Sequence, residues 1–137
     1  MNVHRATSVF KMSQEFNFHF SGNASGPAIA VMTEEEFTDG MLGFTLAPKF
    51  VYDMQILPNI GFYISPSVSL GYHGEAWSYS GDRWHHLNMQ FDVAAKLILK
   101  NLWLLWAQPT NINVMVDPGD GWAGVRYEFM VGAGVIF

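Results

Sequence analysis

The chain has 137 residues, enough for one domain, and half of them are hydrophobic while only 14% are charged. Twelve acids against seven bases leave a net charge of -5, and 15% of the residues are aromatic. That composition excludes a disordered chain, which is poor in aromatics and rich in charge, and a nucleic-acid binder, which needs a basic patch. The absence of cysteine excludes disulfides and thiolate metal sites. No apolar run approaches the ~18 residues of a membrane-crossing helix. The N-terminal stretch Met1 to Met12 lacks the basic-then-apolar layout of a signal peptide. The chain therefore reads as either cytosolic or mature with an added Met1, and the strand pattern below favours the second.

Period-2 alternation dominates, which is the signature of strands with two unlike faces. The pattern predicts seven strands, at about 14–22, 26–34, 41–54, 60–73, 84–99, 101–116 and 122–137. Residues 3–12 offer an eighth through the weak alternation of Val9 to Met12. In the first strand Phe16, Phe18 and Phe20 oppose Asn17, His19 and Ser21. The second, Pro27 to Met32, is short and made of small apolar residues. Glu34-Glu35-Glu36 after it reads as an acidic loop. In the third, Leu42, Phe44, Leu46, Phe50, Tyr52 and Met54 oppose Gly43, Thr45, Ala47, Lys49, Val51 and Asp53. The fourth sets Phe62, Ile64, Val68, Leu70 and Tyr72 against Tyr63, Ser65, Ser67, Ser69 and His73. A long Gly-, Ser- and Trp-rich break from Gly74 to Arg83 follows. In the fifth, Leu87, Met89, Phe91 and Val93 oppose His86, Asn88, Gln90 and Asp92. The sixth changes phase near Pro109, which predicts a bulge there. In the last, Val125, Tyr127, Phe129, Val131, Ala133, Val135 and Phe137 share one face. Pro48, Pro66 and Pro109 each remove one ladder donor inside these strands and mark bulges or strand ends.

Two architectures bury one face per strand. A soluble sandwich or barrel hides the apolar face, whereas a membrane barrel turns it to lipid. Three features favour the membrane barrel. The strands are long, as a tilted membrane span requires, where soluble strands average ~5 to 6 residues. The polar faces carry Ser, Thr, Gly, Asn and Gln more than Lys and Glu, which suits a narrow interior. Aromatics gather near strand ends at Tyr52, Phe62, Tyr72, Trp77, Trp84, Trp103, Trp122 and Phe137, as interfacial girdles do.

The ending Tyr127-Glu128-Phe129-Met130-Val131-Gly132-Ala133-Gly134-Val135-Ile136-Phe137 resembles the C-terminal signal of bacterial outer-membrane β-barrels. Its alternating hydrophobics Tyr127, Phe129, Val131 and Val135 lead to a terminal Phe137. The sequence departs from that pattern at Val135, where an aromatic is common. Gly26-Pro27-Ala28-Ile29-Ala30, Ile64-Ser65-Pro66 and Leu70-Gly71-Tyr72 likewise resemble small barrels of Gram-negative bacteria. The resemblance is to the OmpA/OmpX-like class. It implies an antiparallel up-and-down transmembrane barrel of about eight strands in the outer membrane, with lipid and the barrel assembly machinery as partners. A barrel of this size is filled by its own side chains and is not an open porin. Residues 1–137 form one domain on this reading.

The chemistry-bearing residues fall mostly on the polar faces. Lys49, Lys96 and Arg126 share inward parity with Asp53, Asp92 and Glu128, and charges in a narrow interior have to pair. Arg126 is expected to couple across the interior to Asp92 or Asp53. The network reads as a static plug or, alternatively, as a gate that exchanges partners. His73 and His86 flank one hairpin on the same face, and adjacent His85 and His86 face opposite ways. No carboxylate stands at metal-ligand spacing to any of the five histidines, which include His4. His19-Phe20-Ser21 resembles the His-x-Ser of outer-membrane lipid A deacylases, although that family carries it late in the chain. No catalytic residue, metal or cofactor is assigned. The leading expectation is a structural or loop-mediated recognition barrel, with loops at Thr33 to Gly40 and Gly74 to Arg83. The alternatives are a soluble barrel binding an apolar ligand and a lipid-modifying hydrolase.

Overall fold

A computed structural model describes residues 10–22 and 24–137. Seven antiparallel strands form one sheet in sequence order: β1 (Phe10–His19), β2 (Gly26–Thr38), β3 (Met41–Leu57), β4 (Phe62–Trp77), β5 (Arg83–Leu99), β6 (Trp103–Val116) and β7 (Ala123–Val135). The architecture is all-β and up-and-down, and the described residues contain no α-helix. A single 3-10 turn at Pro58–Ile60 links β3 to β4. The sheet curls so far that Lys11 on β1 reaches Glu128 on β7 at 2.7 Å.

β1 to β5 are longer than their alternation indicated, and β6 and β7 are shorter. β2 continues through Glu34, Glu35 and Glu36 to Thr38, so the expected acidic loop is strand. Glu34 and Glu36 are fully buried. Two carboxylates two residues apart share one face, and here that face is the inside. The expected break from Gly74 to Arg83 shrinks likewise to Ser78–Asp82, because β4 runs on to Trp77. The expected loop at Thr33 to Gly40 is reduced to a two-residue turn, Asp39–Gly40. Residues 10–12 belong to β1 rather than to a separate strand. The remainder of the expected eighth strand, and His4, lie outside the described residues.

Local chemistry explains the reversals. Lys100 and Asn101 both hold φ of 54° at the centre of the tight turn between β5 and β6, which the Leu102 N–H closes on the Leu99 carbonyl at 3.1 Å. Near Pro109 the register of β6 slips against both neighbours, between Val93 and Ala95 on β5 and between Gln108 and Asn111 on β6. Gln108 points inward before the slip, and Asn111, Asn113 and Met115 do so after it. The bulge thus carries the phase change read in the sequence.

The polarity of the sheet is inverted relative to a water-soluble protein. On β3, Leu42, Phe44, Leu46, Phe50 and Tyr52 are exposed, while Thr45, Lys49 and Asp53 are buried. On β7, Val125, Tyr127, Phe129, Val131 and Val135 are exposed. Among the described residues the buried apolar side chains cluster only at Ala28, Ala30 and Val51, while Met32, Met41, Ala47, Tyr63, Ala94 and Met115 are buried among polar neighbours or singly. Small inward residues at Ala28, Ala30, Ala47 and Gly71 leave space for long charged chains opposite. A Cβ at Gly71 would strike the Leu46 carbonyl oxygen and the Ala47 backbone, so β3 and β4 approach there as only glycine permits.

Candidate functional site: ion pairs enclosed by the sheet

β3 carries Lys49 and Asp53 four residues apart, and β5 carries Asp92 and Lys96 with the same spacing. Even spacing places each pair on one face. Lys49 Nζ lies 2.8 Å from Glu15 Oε2 and 3.0 Å from Asp92 Oδ2, joining β1, β3 and β5. Lys96 Nζ lies 2.8 Å from Asp53 Oδ1. Asp53 also meets His19 Nε2 at 2.6 Å and accepts the Ser65 hydroxyl. Ser67 donates to Asp92.

A second group occupies the end of the sheet where the β2–β3 and β4–β5 turns lie. Lys11 Nζ stands 2.7 Å from Glu34, 3.4 Å from Glu36 and 2.7 Å from Glu128. Arg126 places Nη1 2.8 Å from Glu36 and Nε 3.1 Å from Glu128. Gln90 donates to Glu34 at 2.8 Å, and Asn111 donates to Glu128 at 3.3 Å.

All six charged residues singled out in the sequence therefore face inward. Lys49 meets Asp92, Lys96 meets Asp53, and Arg126 meets Glu128. The further partner of Arg126 is Glu36, rather than Asp92 or Asp53, because Lys49 and Lys96 already hold those two carboxylates. Lys11, Glu15, Glu34 and Glu36 were missed. The even spacing of Glu34 and Glu36 with Met32 and Ala30 was the available signal, masked by the acidic run around it.

His73 and His86 form a pair in the same half. His73 pairs with His86 across the β4–β5 ladder, and the rings stack at 6.1 Å between centroids. The Thr45 hydroxyl and His73 Nδ1 lie 2.7 Å apart, and His73 Nε2 lies 3.1 Å from Glu75 Oε1. The Trp122 ring lies 5.7 Å from His86, and Trp77 Nε1 donates to Glu75 at 3.2 Å. Gly43 makes room here: a Cβ on it would stand 3.2 Å from Glu36 Cβ and 3.3 Å from His73 Cε1. No group of three or more His, Asp or Glu among the described residues could hold a metal ion. His19 is engaged with Asp53, and Ser21 Oγ donates to the Ser25 carbonyl at 2.6 Å.

Aromatics fall at both ends of the strands, all exposed except the half-buried Phe62 and Trp77. Phe62, Trp103 and Phe137 lie at the end holding the β3–β4 and β5–β6 turns, and Trp77, Trp84 and Trp122 lie at the other. Tyr52 and Tyr72 sit further in. A cleft of about 480 Å³ opens between the β2–β3 and β4–β5 turns, lined by Gly40, Met41, Trp77, Ser78, Asp82 and Arg83 among others. The fold and its interior define the class: a curled antiparallel up-and-down sheet, apolar outside, with paired charges inside. Comparison with known proteins finds no family model, no curated protein and no solved structure that matches the chain.

Proposed function

We propose that this protein is an integral outer-membrane β-barrel with a side-chain-filled interior and a structural or loop-mediated recognition role. The observation that carries the reading is the inverted polarity. Thirteen residues of β3 and β7 alone, from Leu42 to Val135, would otherwise need a partner or water against a continuous apolar wall, and large exposed apolar patches mark interaction or membrane surfaces. Lipid satisfies every one of them at once. Strands of 10 to 17 residues suit a tilted span. The ends bear aromatics, as membrane interfaces favour.

The same observation weighs against a soluble barrel with an apolar ligand, since its interior would have to be apolar. The ion pairs argue for a plug rather than a pore. The cleft at Gly40, Trp77 and Asp82 supplies the surface through which turns would recognise a partner. The test is folding in detergent or bilayers against folding in buffer, read by a heat-modifiable gel shift. Folding that depends on detergent or lipid supports the proposal. A monomer that folds and stays dispersed in buffer alone overturns it.

A further inference from the structure

Among the described residues, Glu75 is the one inward-facing carboxylate that meets no lysine or arginine. Glu15, Glu34, Glu36, Asp53, Asp92 and Glu128 each have one at 2.7 to 3.0 Å. The ion-pair partner of Glu75 is His73 at 3.1 Å, an imidazole that carries no permanent charge. The other carboxylate oxygen accepts the Trp77 indole N–H at 3.2 Å. The Glu75 side chain is 17% exposed, so it can be reached from the end of the sheet where the β2–β3 and β4–β5 turns lie. A half-buried carboxylate without a fixed counter-charge is costly to keep ionised, and this one stands where a ligand can supply the charge.

The neighbours of Glu75 suit a cation. Trp84 is its ladder partner on β5, which places the two side chains on one face, about 4.5–5.5 Å apart between Cβ atoms. Trp77 follows two residues later on the same face. Trp122 enters from the last turn: a Cβ on Gly124, an inward position of β7, would strike its ring, so the indole lies across the inner face there. That ring packs on His86, which stacks on His73. Trp84 is 43% exposed and Trp122 51%, so both rings are open to a ligand, and the face of an indole attracts cations. His86 Nδ1 is buried beside them with no hydrogen-bond partner, an exception to the rule for buried polar atoms. The surrounding charge agrees. The turns at this end carry Asp39, Asp82, Asp117 and Asp120, with Arg83 at the start of β5 the only base beside them, whereas the described turns at the other end carry Lys100 alone. Asp82, Asp117 and Asp120 line a hollow of about 270 Å³ together with Arg83, Trp84 and His85. A rim of one sign concentrates ligands of the other.

We infer that this end binds a small organic cation, its ammonium group paired with Glu75 and its alkyl body against the indole faces of Trp84 and Trp122. The inference rests on the recognition role proposed above and names the class of ligand recognised. A bare metal ion fits less well, because no group of three or more His, Asp or Glu among the described residues could hold one and indoles supply no metal ligand. A neutral sugar would stack on the same rings but would leave the Glu75 charge unmet.

The test titrates butylammonium chloride into the full chain folded in detergent micelles and follows the indole N–H resonances. Potassium chloride at equal ionic strength and glucose are the controls. Saturable shifts at Trp77, Trp84 and Trp122, with none at Trp103 at the far end and none from either control, are the expected result. Glu75→Gln is expected to weaken binding about tenfold or more, the loss of one charge-assisted contact. Trp122→Leu, which changes an exposed ring, is expected to weaken it about threefold. No saturable shift, an equal response to potassium chloride or to glucose, or unchanged affinity in Glu75→Gln overturns the inference. Should Glu75→Gln not fold, Trp122→Leu and Trp84→Leu decide, and unchanged affinity in both overturns it. Failure of the membrane reading is separately visible as folding that needs no detergent or lipid, in which case the same titration runs in buffer.

Discussion

Lys49 and Asp92 meet at 3.0 Å although β3 and β5 are not neighbours in the sheet. The contact crosses the enclosed space over β4, where Ser69 is the ladder partner of Lys49 and Ser67 that of Asp92. It makes the curl of the sheet and the charge pairing parts of one arrangement. Removing one partner leaves the other charge buried and uncompensated, which costs about 3 to 5 kcal/mol when burial is complete. Lys49→Met and Asp92→Asn are therefore each expected to destabilise strongly, and the double variant by clearly less than their sum. A double-mutant cycle read by urea unfolding in lipid or detergent measures this. A coupling energy of zero would mean that the two groups are solvated separately.

Val131 stands in the middle of the exposed apolar row of β7. Val131→Arg is expected to cost about 2 to 4 kcal/mol in bilayers if the site lies near the midplane. The unfolding midpoint of the variant in bilayers checks it. Unchanged stability would place Val131 away from lipid.

Conductance follows from the interior. Lys11, Lys49 and Arg126 each bridge carboxylates inside the sheet and Lys96 pairs with Asp53, and a barrel as narrow as the proposed one is filled by side chains. Reconstituted protein in planar bilayers is expected to pass little or no steady current. Large, stable steps from pure monomer would show that the pairs leave an open path.

Asp117, in the turn between β6 and β7, accepts the backbone N–H of Gly119 at 2.7 Å and of Asp120 at 3.2 Å. These bonds hold its carboxyl below the ordinary aspartate value. A depressed value in the folded chain means that the contribution to turn order is complete above the ordinary range. It is lost as pH falls through the lower, folded value. The Gly119 and Asp120 amide resonances are expected to titrate with a midpoint below that of a free aspartate. A midpoint at or above it would show that the turn does not depend on the charge.

Alternation alone was enough to assign the faces of β3, β4, β5 and β7, because a strand sends successive side chains to opposite sides whatever its neighbours are. The phase change at Pro109 was visible for the same reason. Lys49, Asp53, Asp92, Lys96, Arg126 and Glu128 shared a face before any fold was drawn. Which base meets which acid was another matter. Arg126 takes Glu36 across 90 residues of chain, a choice made by curl, tilt and the prior claims of Lys49 and Lys96. Glu34 and Glu36 looked like a solvated loop because three successive acids suggest water. Only the closing of the sheet, which set Lys11 and Arg126 against them, made burial of those carboxylates affordable. A local pattern states which side of a strand a residue takes; the curvature that turns one side into an interior is a property of all the strands together.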